Sequence, residues 1–512
     1  MVVVREPREP GLRGHVDAIQ EILLAAAAAY FIGAFCWIAF RTLAFPFRLE
    51  WVEGTTLDTV QRILKGQPLY TRPSIAYTPQ IYTPLYYGTA AVLARIIGAG
   101  FLAGRVVSFL STLASGAVIF AFAAHERVRS VYCLIGTGLF FATFEASGRW
   151  FHLARVDSLF LFLLLSACFL VRCANSPAVA VSAGIIFGLA VLTKQSALVA
   201  FLPLALGLVA VDRRRGFAFA LATAAVVVGT TLVFDHNSGR WFSFFVWELP
   251  ARHPIRWSRA ISLWTTDLLP QFWPSVLAAI FGIASAFKRG RTTAWFYATF
   301  VISMFATSAV SRVHAGGYLN VLMPAFAGLA VVFPLALDLL LSRHSPVAHP
   351  AGRGVRAGAG LLAIIQFALL VYDPRGASPG PHDEQAGRRY AAYLDRIQGE
   401  VLVVDERAIP TLTGRHHLGL GSAYRDLVRG GPSQLETTVT AEIRAAIRRQ
   451  RFAAIVLASR DPRERYRDFA RAISENYEFR GVIFRDPNVF FPVSGARLRS
   501  NFVFVPKKEP DP

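Results

Sequence analysis

Cysteine is scarce in this chain. Four occur in 512 residues, Cys36, Cys133, Cys168 and Cys173, all inside or at the ends of apolar runs and none in a CxxC pair. That spacing excludes a disulfide framework and a zinc cluster, and the four read as small buried apolar side chains. Charge is scarce as well. Only 17% of residues are charged against 54% hydrophobic, a balance too apolar for a soluble globular protein. Acidic residues are the rarer sign, 33 against 53 basic, for a formal charge of +20. On a soluble chain that excess would point to nucleic acid, but the sequence contains no nucleic-acid module. Much of the Lys and Arg falls in short clusters between apolar runs, where it reads as topology signal and lipid-headgroup contact. The sequence also shows no internal repeat.

What is abundant is apolar sequence in long runs. The first, 22–45, is long enough to cross a bilayer and too long for a signal-peptide core. We read it as an uncleaved span behind a basic cytoplasmic tail, 1–18. Further runs lie near 84–98, 104–124, 130–146, 155–172, 178–193, 197–211, 217–234, 268–287, 292–310, 317–341 and 357–372. Basic clusters punctuate them: HERVRS (125–130), VDRRRG (211–216), KRGR (288–291) and SRHSPVAHPAGRG (342–354). All four fall on the cytoplasmic side if the short 84–98 run is interfacial or re-entrant and does not cross. The expected fold is therefore a polytopic α-helical membrane protein of about eleven spans, covering 19–372, with a first external loop at 46–83.

Beyond residue 372 the composition changes. The segment 373–512 is charged, with period-2 apolar stretches EVLVVDE and FAAIVLAS and helical patterns between and after them. It reads as a small extracytoplasmic α/β domain behind the linker RGASPGPHD, with no nucleotide-binding glycine fingerprint. The aromatic loop 235–267, WFSFFVWELPARHPIRW at its centre, suits an interfacial helix or the wall of a lipid or substrate entrance.

On this topology several polar groups share the outward face. Glu50 and Glu53 are three residues apart, on one side of a helix. With them come Arg149, His152, Arg155 and Asp157, then Lys194 and Gln195, then Glu248, Arg252 and His253, and finally Arg312 and His314. Carboxylates beside cations are what a general base needs when it deprotonates an attacking hydroxyl. Lys194, Arg312 and Arg155 are suited to a phosphate, Arg bidentately and Lys as a point charge. Together these groups suggest transfer from a phosphate leaving group. The histidines read as hydrogen-bond partners, since no HxxxH or carboxylate-flanked pair supports a metal.

EWVEGTTLDTVQRILKGQPLY, followed by YTPLYY (82–87), resembles the first external loop of the membrane glycosyltransferases of the GT-C superfamily. The nearest branch is that of the bacterial protein O-mannosyltransferase-like and aminoarabinose-transferase-like enzymes. The likeness continues in HLARVDSLFLFLLL, GLAVLTKQSAL and AGGYLNVLMPAFAGLA, and covers most of 20–372. It implies an inverting transfer of a sugar from a polyprenyl-phosphate donor to an acceptor hydroxyl on a lipid, glycan or protein. It implies a site at the external face of a bacterial inner (plasma) membrane, with no cofactor and no obligate metal. An acid of the first loop would be the base. The family usually has Asp-Glu there; this chain has Val52-Glu53, so Glu53 and Glu50 share the role, Glu53 slightly ahead. Asp157 matches a second acid near the site, Lys194 and more loosely Arg312 match donor-phosphate positions, and Tyr82 stands where some relatives carry Lys. Arg155, His152, Gln195, His314 and Glu248 complete the expected substrate-binding set. The alternative is a transporter or flippase for a lipid-linked saccharide, which would favour Gly- or Pro-broken spans in related halves. A weaker one is a scaffold whose soluble domain does the work.

Overall fold

The computed structural model describes residues 12–341, 353–413 and 417–507. The basic N-terminal tail lies mostly outside the described residues, as does all but the end of the cluster SRHSPVAHPAGRG. The expected apolar runs all fall on helices. In chain order these are α1 (Leu12–Thr42), α2 (Glu53–Leu64), α3 (Leu85–Ile97), α4 (Phe101–His125), α5 (Ser130–Ala142), α6 (Asp157–Cys173), α7 (Pro177–Val191), α8 (Ala197–Val211) and α9 (Arg213–Ser238). The helices Ser258–Lys288, Arg291–Val313, Leu319–Leu341 and Arg353–Leu369 follow. Six of the described helices are long and apolar enough to cross a membrane. Their outward faces explain the composition: Phe40, Leu221, Leu232 and Ile280 are exposed, as lipid-facing side chains are.

Two sets of polar contacts mark the ends of the bundle. At one end Arg129 pairs with Glu21 (2.5 Å), Arg172 with Glu126 (2.7 Å) and Arg289 with Asp338 (2.7 Å). Arg215 joins them by donating to the carbonyl of Ala174, two residues past Arg172, so the basic clusters that begin at 125, 211 and 288 share this end. At the other end Arg105, near the start of α4, donates to the carbonyls of Thr42 (3.2 Å), Phe45 (2.6 Å) and Phe47 (2.6 Å). The chain thus leaves α1 and enters α4 at the same end. α3, 13 residues long, does not cross between them. At 1.5 Å per residue it spans about 20 Å, short of the ~30 Å of a hydrocarbon core.

From residue 373 the chain builds a five-stranded mixed sheet ordered β2-β1-β3-β5-β4. Its strands are β1 (Val401–Val403), β2 (His417–Gly419), β3 (Ala454–Leu457), β4 (Tyr477–Val482) and β5 (Phe502–Pro506). β1 is parallel to β2 and β3, while β5 runs antiparallel to β3 and β4. The period-2 alternation divides cleanly. Val401, Val403, Ala454 and Val456 pack on one face with Phe47 and Tyr390. Leu402, Val404, Ile455 and Leu457 pack on the other with Phe242, Phe245, Val246 and Leu249. The aromatic loop is thus less an interfacial helix than a docking strip for this sheet, although Trp257 and Trp264 stay exposed. The helical pattern that follows β3, RERYRDFARAISENY (463–477), yields two short helices, Pro462–Arg465 and Ala470–Asn476, broken at Tyr466 and ended where the chain enters β4 at Tyr477.

The domain clamps the loop between α1 and α3. Arg407 pairs with Asp58 at 3.0 Å, Arg48 with Glu406 at 3.2 Å, and Ser422 Oγ donates to Thr55 Oγ1 at 3.1 Å. At Gly54 the backbones themselves come close. A Cβ there would lie 2.5 Å from the Ala408 backbone nitrogen, so only glycine allows α2 to seat against the domain.

Candidate active site

Between the first loop, the ends of the membrane helices and the C-terminal domain lies a cavity of 260 Å3. Glu50 lies in its wall, just before α2. Its side chain is buried; Oε2 accepts from the Val52 backbone N–H at 2.9 Å, and Oε1 has no hydrogen-bond partner. Arg155 Nη1 stands 3.5 Å from Oε2. Burial raises the Glu50 carboxyl to about 7, against the lowering pull of Arg155 and with a further push from Glu53. A carboxyl poised near neutrality, with one oxygen unpartnered, in the wall of a cavity is suited to general-base work.

Cations surround it. Arg155 lines the cavity from the turn before α6, its guanidinium 5.7 Å from the ring centres of both Tyr82 and Trp150 and 3.5 Å from the Tyr82 hydroxyl. Lys194 lines it from the α7–α8 turn, its ammonium held 2.6 Å from Asp157 Oδ1. The same oxygen accepts from Asn320 Nδ2 at 2.8 Å. Asp157 does not itself line the cavity; it anchors Lys194 and Asn320, which do. Gln195 is fixed by the carbonyls of Ile81 (2.8 Å) and Val246 (3.3 Å) with its own oxygen unpaired. His314 lines the cavity with Nε2 3.1 Å from the Pro250 carbonyl.

Glu53, three residues on, has other work. It is fully buried and accepts from Arg105 Nε (3.1 Å) and Nη2 (2.8 Å), from Ala154 N–H (2.7 Å) and from Leu49 N–H (2.6 Å). Burial opposes its ionisation, but Arg105 and these donors prevail and hold it below the usual carboxylate range. It ties the first loop to α4 and does not line the cavity. Three other expected residues also stand apart. His152 is packed against Phe35 and Phe144, with both ring nitrogens unpartnered, and burial pushes it down to about 3. Arg312 is spent on Asp267, bidentately at 2.7 and 3.2 Å. Glu248 sits between Arg252 (3.6 Å) and Arg240 (3.8 Å), nearly half exposed.

Two contributions escaped the sequence reading. Ser422, Asp426 and Arg429 of the C-terminal domain line the cavity. Asp426 is paired with Arg429 one turn on, and burial raises its carboxyl despite the nearby Arg429, Arg155 and His314. In sequence that i, i+3 pair is indistinguishable from a solvated helix face. Arg105 did leave a signal, as the one cation of the apolar run 104–124, at its start. Trp51, Trp150 and Tyr318 add aromatic walls, and Val199, Val310 and Val321 an apolar one.

No protein-family model matches this chain, and no curated protein does. Among solved structures it is similar to ArnT from Cupriavidus metallidurans in the apo state, with a TM-score of 0.59 at 15% identity over 93% of this chain and 97% of that one. The same protein bound to undecaprenyl phosphate gives 0.58 at 14% identity, again over 93% and 97%. The chain shares the ArnT fold. A looser likeness, TM-score 0.48 at 12% identity, covers 88% of this chain and 73% of the Archaeoglobus fulgidus oligosaccharyltransferase.

Proposed function

We propose that this protein is an inverting glycosyltransferase of the GT-C type that takes its sugar from a polyprenyl-phosphate donor at the external face of the membrane. The observation that carries the reading is the buried Glu50 carboxylate, one oxygen unpaired, in the same cavity as Arg155 and Lys194. The ArnT fold supports it, because that protein has been crystallised with undecaprenyl phosphate. In this reading Glu50 takes the proton of the acceptor hydroxyl as its oxygen attacks the anomeric carbon. The bond from that carbon to the phosphate oxygen breaks, and the lipid phosphate leaves with its charge held by Arg155 and Lys194. One displacement inverts the centre. Glu53 and Arg105 fix the loop that presents Glu50, and Asp157 holds Lys194 toward the phosphate. The apolar wall of Val199, Val310 and Val321 suits a lipid chain, and Trp51, Trp150 and Tyr318 suit the sugar face.

The test is mass spectrometry of lipid extracts and envelope glycans from cells lacking the protein. A transferase predicts that one polyprenyl-phosphate sugar accumulates and one glycan loses a single residue. An unchanged lipid pool and unchanged glycans would contradict it. A flippase predicts that the sugar-lipid is still made but stays on the cytoplasmic leaflet, inaccessible to an external glycosidase.

A further inference from the structure

The carboxyl ends of β1 and β3 lie side by side, and the chain leaves them in opposite directions, from β1 toward β2 and from β3 toward β4 and β5. In open α/β sheets such a reversal marks the crevice where ligands sit. Here the crevice opens into a solvent-facing basin of 1420 Å3. Six arginines line it, Arg460, Arg463, Arg465, Arg467, Arg471 and Arg497, against two acids, Asp461 and Glu464. Some of that charge is spent: Arg463 pairs with Asp461 (2.9 Å), Arg465 with Asp405 (3.3 Å) and Arg471 with Glu475 (2.6 Å). Arg460, Arg467 and Arg497 are exposed and pair with no carboxylate among the described residues. Exposed like charges repel, so a cluster of this kind lowers its energy by taking up anions.

The basin is built rather than incidental. Asp405, just past β1 and buried, accepts from the Ala458 N–H at 3.3 Å and from the Tyr466 hydroxyl, and it also binds Arg425 and Arg465. It thereby holds the turn 458–466 that carries half of the arginines. The basin also adjoins the first external loop at two points. Arg425 shares Asp405 with Arg465 and lies 5.2 Å over the ring of Trp51. The carbonyl of Leu498, in the basin wall, accepts from Arg48 Nη2 at 2.7 Å. Trp51 and Arg48 flank Glu50.

We infer that the basin docks the acceptor, a saccharide polymer bearing carboxylate or phosphate groups, with one hydroxyl carried over the Trp51–Arg425 edge to Glu50. This rests on the transferase reading above. A bilayer surface fits less well, because the wall is guanidinium and hydroxyl, and its large apolar residues, Leu498 and Phe502, are buried or half-buried.

The experiment measures binding of polygalacturonate, of neutral dextran and of vesicles containing phosphatidylglycerol to the purified full-length protein. It uses wild type, the control variant Arg388→Gln, an exposed arginine outside the basin and the cavity, and the triple variant Arg460→Gln/Arg467→Gln/Arg497→Gln. The inference predicts binding of polygalacturonate but not dextran, weakened as salt rises from about 50 to about 300 mM. It predicts a loss of about tenfold or more in the triple variant and none in Arg388→Gln. The exposed arginines are dispensable for folding, which thermal unfolding of the variant checks. Equal binding of dextran, or a triple variant that binds as wild type does, overturns the inference. So does vesicle binding that falls with the arginines while polygalacturonate binding does not. Binding requires no turnover, so its loss is distinguishable from failure of the transferase reading, which the lipid and glycan spectra report.

Discussion

Glu50 and Glu53 stand three residues apart with both side chains buried, yet their carboxylates have opposite surroundings. Glu53 receives four hydrogen bonds, two of them from Arg105. Glu50 receives one, keeps one oxygen free and meets Arg155 only at 3.5 Å. The first is a fastener and the second is free to act, and the two should answer differently to mutation.

Arg105→Met leaves the Glu53 carboxylate buried without its ion-pair partner. Breaking such a pair costs about 3–5 kcal/mol. We expect a lower unfolding temperature in detergent and poor membrane yield, and the same direction for Glu53→Gln, whose single amide oxygen can replace only one of the two carboxylate oxygens that accept from Leu49 and Ala154 N–H. A thermal shift assay compares them with Glu50→Gln, which should not be destabilised.

The pH response separates stability from activity. The Glu50 carboxyl is raised from 4.5 to about 7. A raised acid is a burden when ionised, so its cost is present above pH 7 and is relieved as pH falls from about 7 to about 4.5. Glu50→Gln removes that burden and should exceed wild type in stability by about 3 kcal/mol at pH 8, a gap that closes below the unfolded value. Transfer requires the carboxylate, so the wild-type rate should fall about tenfold per unit below pH 7. Unfolding and rate measured across pH 4–9 check both signs.

Lys194→Met should raise KM for the lipid donor and slow the transfer, by about 10–100-fold in kcat/KM, because it removes a charge aimed at the leaving phosphate. Asp157→Asn should act in the same direction but more weakly, since the Lys194 ammonium remains and only its anchor is lost. Steady-state kinetics on purified protein make the comparison.

Gly54→Val places a branched side chain where a Cβ already falls 2.5 Å from Ala408 N. The C-terminal domain must then lift from α2, taking Ser422, Asp426 and Arg429 out of the cavity. We expect loss of activity with the membrane body intact, and faster proteolysis in the linker 375–383.

Much of the architecture was legible because a bilayer demands long apolar helices, and the basic clusters fix which ends lie together. That 84–98 does not cross was readable only from its short length taken together with the basic clusters, which share a side only on that condition. Topology placed Glu50, Arg155, Lys194, Gln195, Tyr82 and His314 at one end of the bundle, and all six line one cavity. Side-chain partnership was not legible. Nothing in the sequence shows that Asp267, 45 residues upstream, claims Arg312, or that Arg105 claims Glu53, because ion pairs across elements depend on how helices pack. Asp426 and Arg429 were hidden for the same reason: only the docked domain turns that helix face into a cavity wall.

The most direct test of the central claim is complementation of cells lacking the protein with Glu50→Gln, read by mass spectrometry of the polyprenyl-phosphate sugars and of the envelope glycan. Immunoblotting confirms equal expression of wild type and variant. The account predicts that Glu50→Gln folds, accumulates the donor and restores the glycan about 100-fold less well than wild type or worse. Full restoration of the glycan by Glu50→Gln would show that this carboxylate is not the base.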